Sequence, residues 1–306
     1  MNKVDRYVQA STRKKTTLSY QAAVRHFEEE WGGYLPATTD SIARYLADHA
    51  ETLAMNTLKL RLAGLAQWHR DYGFADPTKS PLVKKVLKGI REIHPAQEKQ
   101  AKPLHLAQLT QAVAWLETNL QQAVATNHRA EQLRFLRDRA LVLIGFWRAF
   151  RSDELNRLCV QHVEVDPGKG MTLYLSRSKT DKQSNGKTYR APALKQLCPV
   201  TAYQEWINAA GLESGPVFRS IDRWGHIAEE GLNSTSIIPL LRRILQGAGV
   251  ADAEHFSSHS LRRGFATWAN GNGWDLKTLM GYVGWNDVKS AMRYIDGNAA
   301  LQWEAI

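Results

Sequence analysis

The chain has 306 residues, 43% hydrophobic and 23% charged, so it is long and apolar enough to bury a core, and its length predicts two domains. Lys and Arg number 40 against 30 Asp and Glu, a net charge of +10 that favours a polyanionic partner. Intrinsic disorder and a disulfide-stapled miniprotein are excluded, and the longest apolar run, residues 140–147, falls far short of the roughly 18 to 20 residues that cross a bilayer. The N-terminus shows no secretory pattern, and Cys159 and Cys198 lack zinc-ligand spacing and read as small core residues. A cytoplasmic protein without membrane attachment is expected.

The basic excess is densest in the N-terminal third, where only helical patterns occur. Residues 17–31 carry Leu18, Ala22, Phe27 and Trp31 and stop at Gly32-Gly33; residues 39–49 begin in a cap cluster and align Ile42, Tyr45 and Leu46. Residues 55–72 repeat Leu58, Leu62 and Leu65 at helical spacing. Residues 81–93 separate Leu82, Val86 and Ile90 from Lys84, Lys88 and Arg91, three cations that share a face and suit either plain solvation or contact with a DNA backbone. Residues 94–103 hold two prolines and no large apolar side chain, which predicts a linker between a helical DNA-binding domain, 1–93, and a second domain, 104–306.

In the second domain, helices are predicted over 106–120 and 129–150, the latter buried. Short strands follow over 162–166, 171–176 and 187–193, turning at Pro167-Gly168 and Asn185-Gly186. Helical patterns return at 199–210, 234–248, 260–270, 276–283 and 287–295, giving a mainly α protein with a small β-sheet.

Phosphate-loop, dinucleotide, HExxH and GxSxG signatures are absent, and His255 and His259 have no third ligand nearby in sequence, so no cofactor or metal is expected. What remains suits a phosphate. Arg151 follows the apolar helix with Glu154 one turn on, a spacing that holds a guanidinium rigidly or makes an ordinary ion pair. Lys179 lies in Ser-Lys-Thr where a strand enters a turn. His259 and Arg262 share the first turn of a helix that Ser257 or Ser258 caps, a natural anion site. Trp285 and Tyr294 add an indole donor and a phenol late in the chain.

In order, type and spacing these residues resemble the tyrosine site-specific recombinases, the integrase family that includes Cre. The resemblance spans residues 149–296. It implies that Arg151 and Arg262 are the catalytic arginines, with Glu154 the acidic residue beside the first, Lys179 the hairpin lysine, His259 the histidine of the H-x-x-R box and Tyr294 the nucleophile. Trp285 stands where a histidine is commoner, as in Cre, and is able only to donate a hydrogen bond. The fold implied is a helical core-binding domain plus an α+β catalytic domain, a C-shaped clamp around DNA. The activity implied is cleavage and rejoining through a 3′-phosphotyrosyl intermediate and a Holliday junction, in integration, excision or resolution, without metal or ATP. The implied partners are a double-stranded recombination site and three further protomers in a synaptic tetramer, with residues 299–306 docking on a neighbour in a nucleoid-associated, bacterial or phage-type protein. Two other readings stay open: an architectural DNA-binding protein of the same fold, and a relaxing enzyme like the type IB topoisomerases.

Overall fold

The computed structural model describes residues 14–95, 101–176 and 186–294, together with Lys3, Arg6 and Tyr7. The chain divides into two compact units, Met1–Lys99 and Gln100–Ile306.

Unit 1 is helical among its described residues: α1 (Lys14–Arg25), a π-helical turn (His26–Glu30), α2 (Thr39–Asp48), α3 (Met55–Asp71) and α4 (Pro81–Ile93). Side-chain caps set two of the starts, with Thr38 accepting from Ser41 N–H and Ser80 from Val83 N–H, the latter followed by Pro81, whose missing N–H costs nothing at that position. Phe27, Ile42, Tyr45, Leu46, Leu58, Leu62, Leu65, Val83 and Ile90 form the core. Two of the expected apolar positions turn out otherwise. Leu18 and Leu82 are 56% and 44% exposed, and Val83 takes the inward place on α4 because the core reads Val83, Val86, Leu87 and Ile90. Lys84, Lys88 and Arg91 are all exposed, as is Lys85.

Unit 2 is built on α5 (Leu106–Ala125) and α6 (Arg129–Trp147), the second buried on every side from Ala140 to Trp147. A helix apolar all round belongs at the centre of a domain. The short α7 (Ser152–Asn156) leads to an antiparallel sheet of β1 (Val163–Asp166), β2 (Gly170–Leu175) and β3 (Lys187–Pro192), in the order β1-β2-β3. Period-2 alternation puts Met171, Leu173 and Leu175 opposite Ala191, Tyr189 and Lys187 on the core face, so Lys187 stands at its rim. Then come α8 (Pro199–Ala210), a two-stranded sheet of β4 (Arg219–Ile221) and β5 (Ile227–Gly231), α9 (Ile237–Gly247), α10 (Ser258–Gly271), α11 (Leu276–Val283) and α12 (Val288–Met292).

Two expectations are corrected here, and one element was not anticipated. The helix expected over 129–150 ends at Trp147, because the chain closes there in a left-handed turn. The β4–β5 sheet escapes sequence reading, its strands being short and holding Arg219, Glu229 and Glu230 rather than an apolar alternation. Cys159 and Cys198 are half-buried, not core, and Cys198 caps α8 by accepting from Thr201 N–H.

The first residues of unit 2 bind α10 closely. Leu104 N–H donates to Ser260 C=O at 3.0 Å, and a Cβ on Gly264 would stand 1.8 Å from Leu104 O. No side chain fits against that carbonyl. Gly264→Ala is expected to destabilise the protein by about 2 kcal/mol or more, read as a fall of several degrees in Tm; an unchanged Tm would mean that the two backbones separate freely.

Candidate active site

The site begins where α6 stops. Phe150 N–H donates to Gly145 C=O at 3.0 Å and Ala149 N–H to Phe146 C=O at 2.9 Å, the two bonds of a Schellman turn, with Ala149 at φ 52° where a glycine usually sits. The turn redirects the chain so that Arg151, extended at φ −81° and ψ 162°, precedes α7. Glu154, buried to 3% exposure, then reaches back one turn. Its Oε2 accepts from the Arg151 backbone N–H at 2.8 Å and its Oε1 from Arg151 Nη1 at 2.9 Å. The carboxylate thus caps the short helix and grips the side chain at once.

Arg262 arrives from α10, which Ser257 starts by accepting from His259 N–H while its own N–H donates to Ser260 Oγ. Its guanidinium is 1% exposed; Nη1 donates to Ala149 C=O at 2.8 Å and lies 3.5 Å from Glu154 Oε2, and Nη2 donates to Val283 C=O at 3.3 Å. Burial, then the charge of Arg151, pushes its pKa down to about 10, which leaves it cationic at neutral pH. One carboxylate therefore stands between two guanidinium groups, and the pair keeps a surplus of positive charge.

The remaining groups close over that pair. Gly284, at φ 80°, ends α11 and delivers Trp285, which is 5% exposed. Asp287 caps α12 by accepting from Ser290 N–H at 2.7 Å, and Tyr294 follows that helix. The Tyr294 ring lies 5.2 Å from that of Trp285, 6.3 Å from the nearly parallel ring of His259 and 5.7 Å from the Arg262 guanidinium. Trp285 Nε1 and Arg262 Nε are buried without an acceptor among the described residues. Orphaned donors beside two arginines call for an anionic oxygen.

Six of the sequence-predicted residues thus converge: Arg151, Glu154, His259, Arg262, Trp285 and Tyr294. Lys179, and the tail at 299–306, fall outside the described residues. Lys84, Lys88 and Arg91 lie in unit 1 on α4. Sequence reasoning passed over Lys187, whose Nζ lies 3.2 Å from where a Gly284 Cβ would be; its place on the core face of β3 was the available signal. It also passed over Arg148, which directly follows the apolar run of residues 140–147 within the stretch that reads as a buried helix.

Removing the Glu154 charge strands two guanidinium groups, one of them buried. Glu154→Gln is expected to destabilise the protein by about 3 kcal/mol, a Tm loss of roughly 6 to 12 °C in a thermal melt without DNA. A melt unchanged from the parent would show that Arg262 needs no counter-charge.

Residues 114–300 match the sequence profile of the phage integrase family. An integrase/recombinase XerD homolog of Selenomonas ruminantium is 28% identical over 304 residues, covering 96% of this chain and 85% of that one. The Cre recombinase of Escherichia phage P1 is 24% identical over 275 residues, 86% of this chain and 77% of its own. In fold, the chain is similar to the XerH site-specific recombinase bound to a difH substrate, with a TM-score of 0.63 at 18% identity over 90% of this chain and 74% of that one. It is also similar to a lambda integrase dimer on a core site, with a TM-score of 0.59 at 17% identity over 99% and 97%. With the profile covering more than half its length, the chain belongs to the phage integrase family and is a tyrosine recombinase, an enzyme that breaks and rejoins DNA.

Proposed function

We propose that Tyr294 is the nucleophile of a site-specific recombination reaction and that Arg151 and Arg262 hold the phosphate it attacks. The observation that carries this reading is the meeting of a phenol, two guanidinium groups sharing one carboxylate, and an unsatisfied indole N–H. Tyr294 Oη forms a bond to phosphorus as the bond from phosphorus to the 5′ oxygen breaks, leaving a 3′-phosphotyrosyl linkage. Charge growing on the two non-bridging oxygens is met by the two arginines and by Trp285 Nε1, all of which are held before substrate arrives. Preorganised donors need no metal to do this, and loss of one costs about 10²-fold in rate.

The phenol gives up its proton as it attacks, and His259 is the neighbour suited to accept or organise it. The leaving oxygen takes a proton from Lys179, the general acid in this scheme. Attack by a partner strand's 5′ hydroxyl on the phosphotyrosine reverses the step, so the bond energy is conserved and no nucleotide is consumed. Two such exchanges within a tetramer on two DNA sites make and resolve a Holliday junction, which serves integration, excision or resolution. The work belongs at the nucleoid, in the cytoplasm, and no helix among the described residues is long and apolar enough to cross a membrane. The exposed cations of α4, Lys84, Lys88 and Arg91, add backbone contacts to the DNA partner.

Two outcomes test this. Tyr294→Phe is expected to shift a target duplex in a gel as the parent does and to form no covalent adduct after denaturation; an adduct from that variant would remove Tyr294 from its role. Replacing Lys84, Lys88 and Arg91 together by Ala is expected to lower the slope of log affinity against log salt by about 2 to 3, measured by fluorescence anisotropy, whereas an unaltered slope would make that face plain surface.

A further inference from the structure

Arg148 is among the largest fully buried side chains of the protein, at 2% exposure, and no acid lies within ion-pairing distance of it among the described residues. A buried guanidinium of that kind is costly unless its N–H groups are satisfied. Its two Nη groups are held by backbone carbonyls and its faces by aromatic rings, while Nε is buried without an acceptor among the described residues. Nη1 donates to Arg190 C=O on β3 at 2.8 Å, Nη2 donates to Tyr282 C=O on α11 at 2.7 Å, and its carbon lies 3.8 Å over the Tyr282 ring. Tyr282 returns the grip, its hydroxyl donating to Trp147 C=O at 2.7 Å.

Three pieces of the site meet at this one side chain. Its own backbone enters the turn that aims Arg151. The carbonyl it holds on α11 adjoins Val283 C=O, which Arg262 holds, and both precede Gly284 and Trp285. The carbonyl it holds on β3 lies in the strand that begins with Lys187. Arg148 and Arg262 therefore clasp consecutive carbonyls at the end of α11, and Arg262 also holds the carbonyl of Ala149, the residue after Arg148.

We propose that Arg148 is a positioning residue for strand cleavage: by tying the end of α11 and β3 to the turn before Arg151, it fixes Trp285 against Tyr294 without touching DNA. The inference rests on the recombinase reading of this site. A displacement of about 1 Å at a reacting group is enough to cost about 10²-fold, so a fixed Trp285 matters even where the fold survives.

The test uses Arg148→Met and Arg148→Lys in the full chain, the second keeping the charge and one carbonyl bond so that a folded variant is available if the first fails to fold. Amide hydrogen exchange is read first, without DNA, at Gly284 and Trp285, whose N–H groups both donate to Met280 C=O. Exchange at these two is expected to rise at least about tenfold in Arg148→Lys, with unit 1 amides unchanged. The second measurement uses a nicked duplex drawn from the DNA flanking the chain's own coding sequence and selected by gel shift. Adduct formation at saturation is expected to fall at least about tenfold while the binding midpoint stays within about twofold. The same substitution in a Trp285→Phe background is expected to cost less than about threefold, because the indole it positions is already gone.

Unchanged exchange, a parallel loss of binding, or an undiminished effect in the Trp285→Phe background each overturns the proposal. If the unaltered chain forms no adduct while exchange at Gly284 and Trp285 still rises, the tie stands as a structural contact, and both the recombinase reading and the positioning role fall.

Discussion

The arrangement depends on one shared carboxylate. Glu154 accepts from the backbone and side chain of Arg151 and faces Arg262, so groups that lie more than a hundred residues apart are referenced to a single buried pair of oxygens. Like charges repel at this range in a poorly solvated site, and an intervening anion converts the repulsion into a bridge. The two arginines stay one charge ahead of their counter-ion, an excess that suits the phosphate proposed to bind there.

Around the bridge, the fold works as a set of converging helix ends. Helix α6 is buried on all sides and stops at the site; α10 starts there, α11 stops there, and α12 leads directly to the phenol. Side chains at helix ends are aimed by caps and turns rather than by the helix body. Ser257, Asp275 and Asp287 each satisfy the first free N–H groups of their helix with an oxygen. Gly264 adds a second kind of constraint, since the backbone of Leu104 rests against α10 where any side chain would stand.

Much of this was legible in the residues. Pro81–Ile93, Pro199–Ala210 and Leu276–Val283 follow the expected bounds because each combines a cap or proline start with apolar residues at helical spacing. The six converging residues were legible because the chemistry restricts type and order together. Other features were hidden for physical reasons. The end of α6 was hidden because Ala149 adopts a conformation that glycine signals and alanine does not. The β4–β5 hairpin was hidden by its charges, and Arg148 by its apolar neighbours, since a guanidinium whose Nη groups are held by distant carbonyls leaves no local pattern. Lys187 carried only its place in the β3 alternation as a signal, and its closeness to Gly284 comes from how the strand packs in three dimensions.

The alanine at that left-handed turn carries a lesson about what a site is optimised to hold. Its methyl group is fully enclosed, and its backbone sits where an L-residue is about 1 kcal/mol less at ease than glycine. Glycine there would relax the folded backbone, but it would also widen the freedom of the unfolded chain and empty the space that the buried methyl fills. Relief of strain therefore works against lost burial and unfolded-state entropy. What the methyl restricts is the backbone freedom of the turn ahead of Arg151, so the residue chosen there bears on how narrowly that guanidinium is aimed.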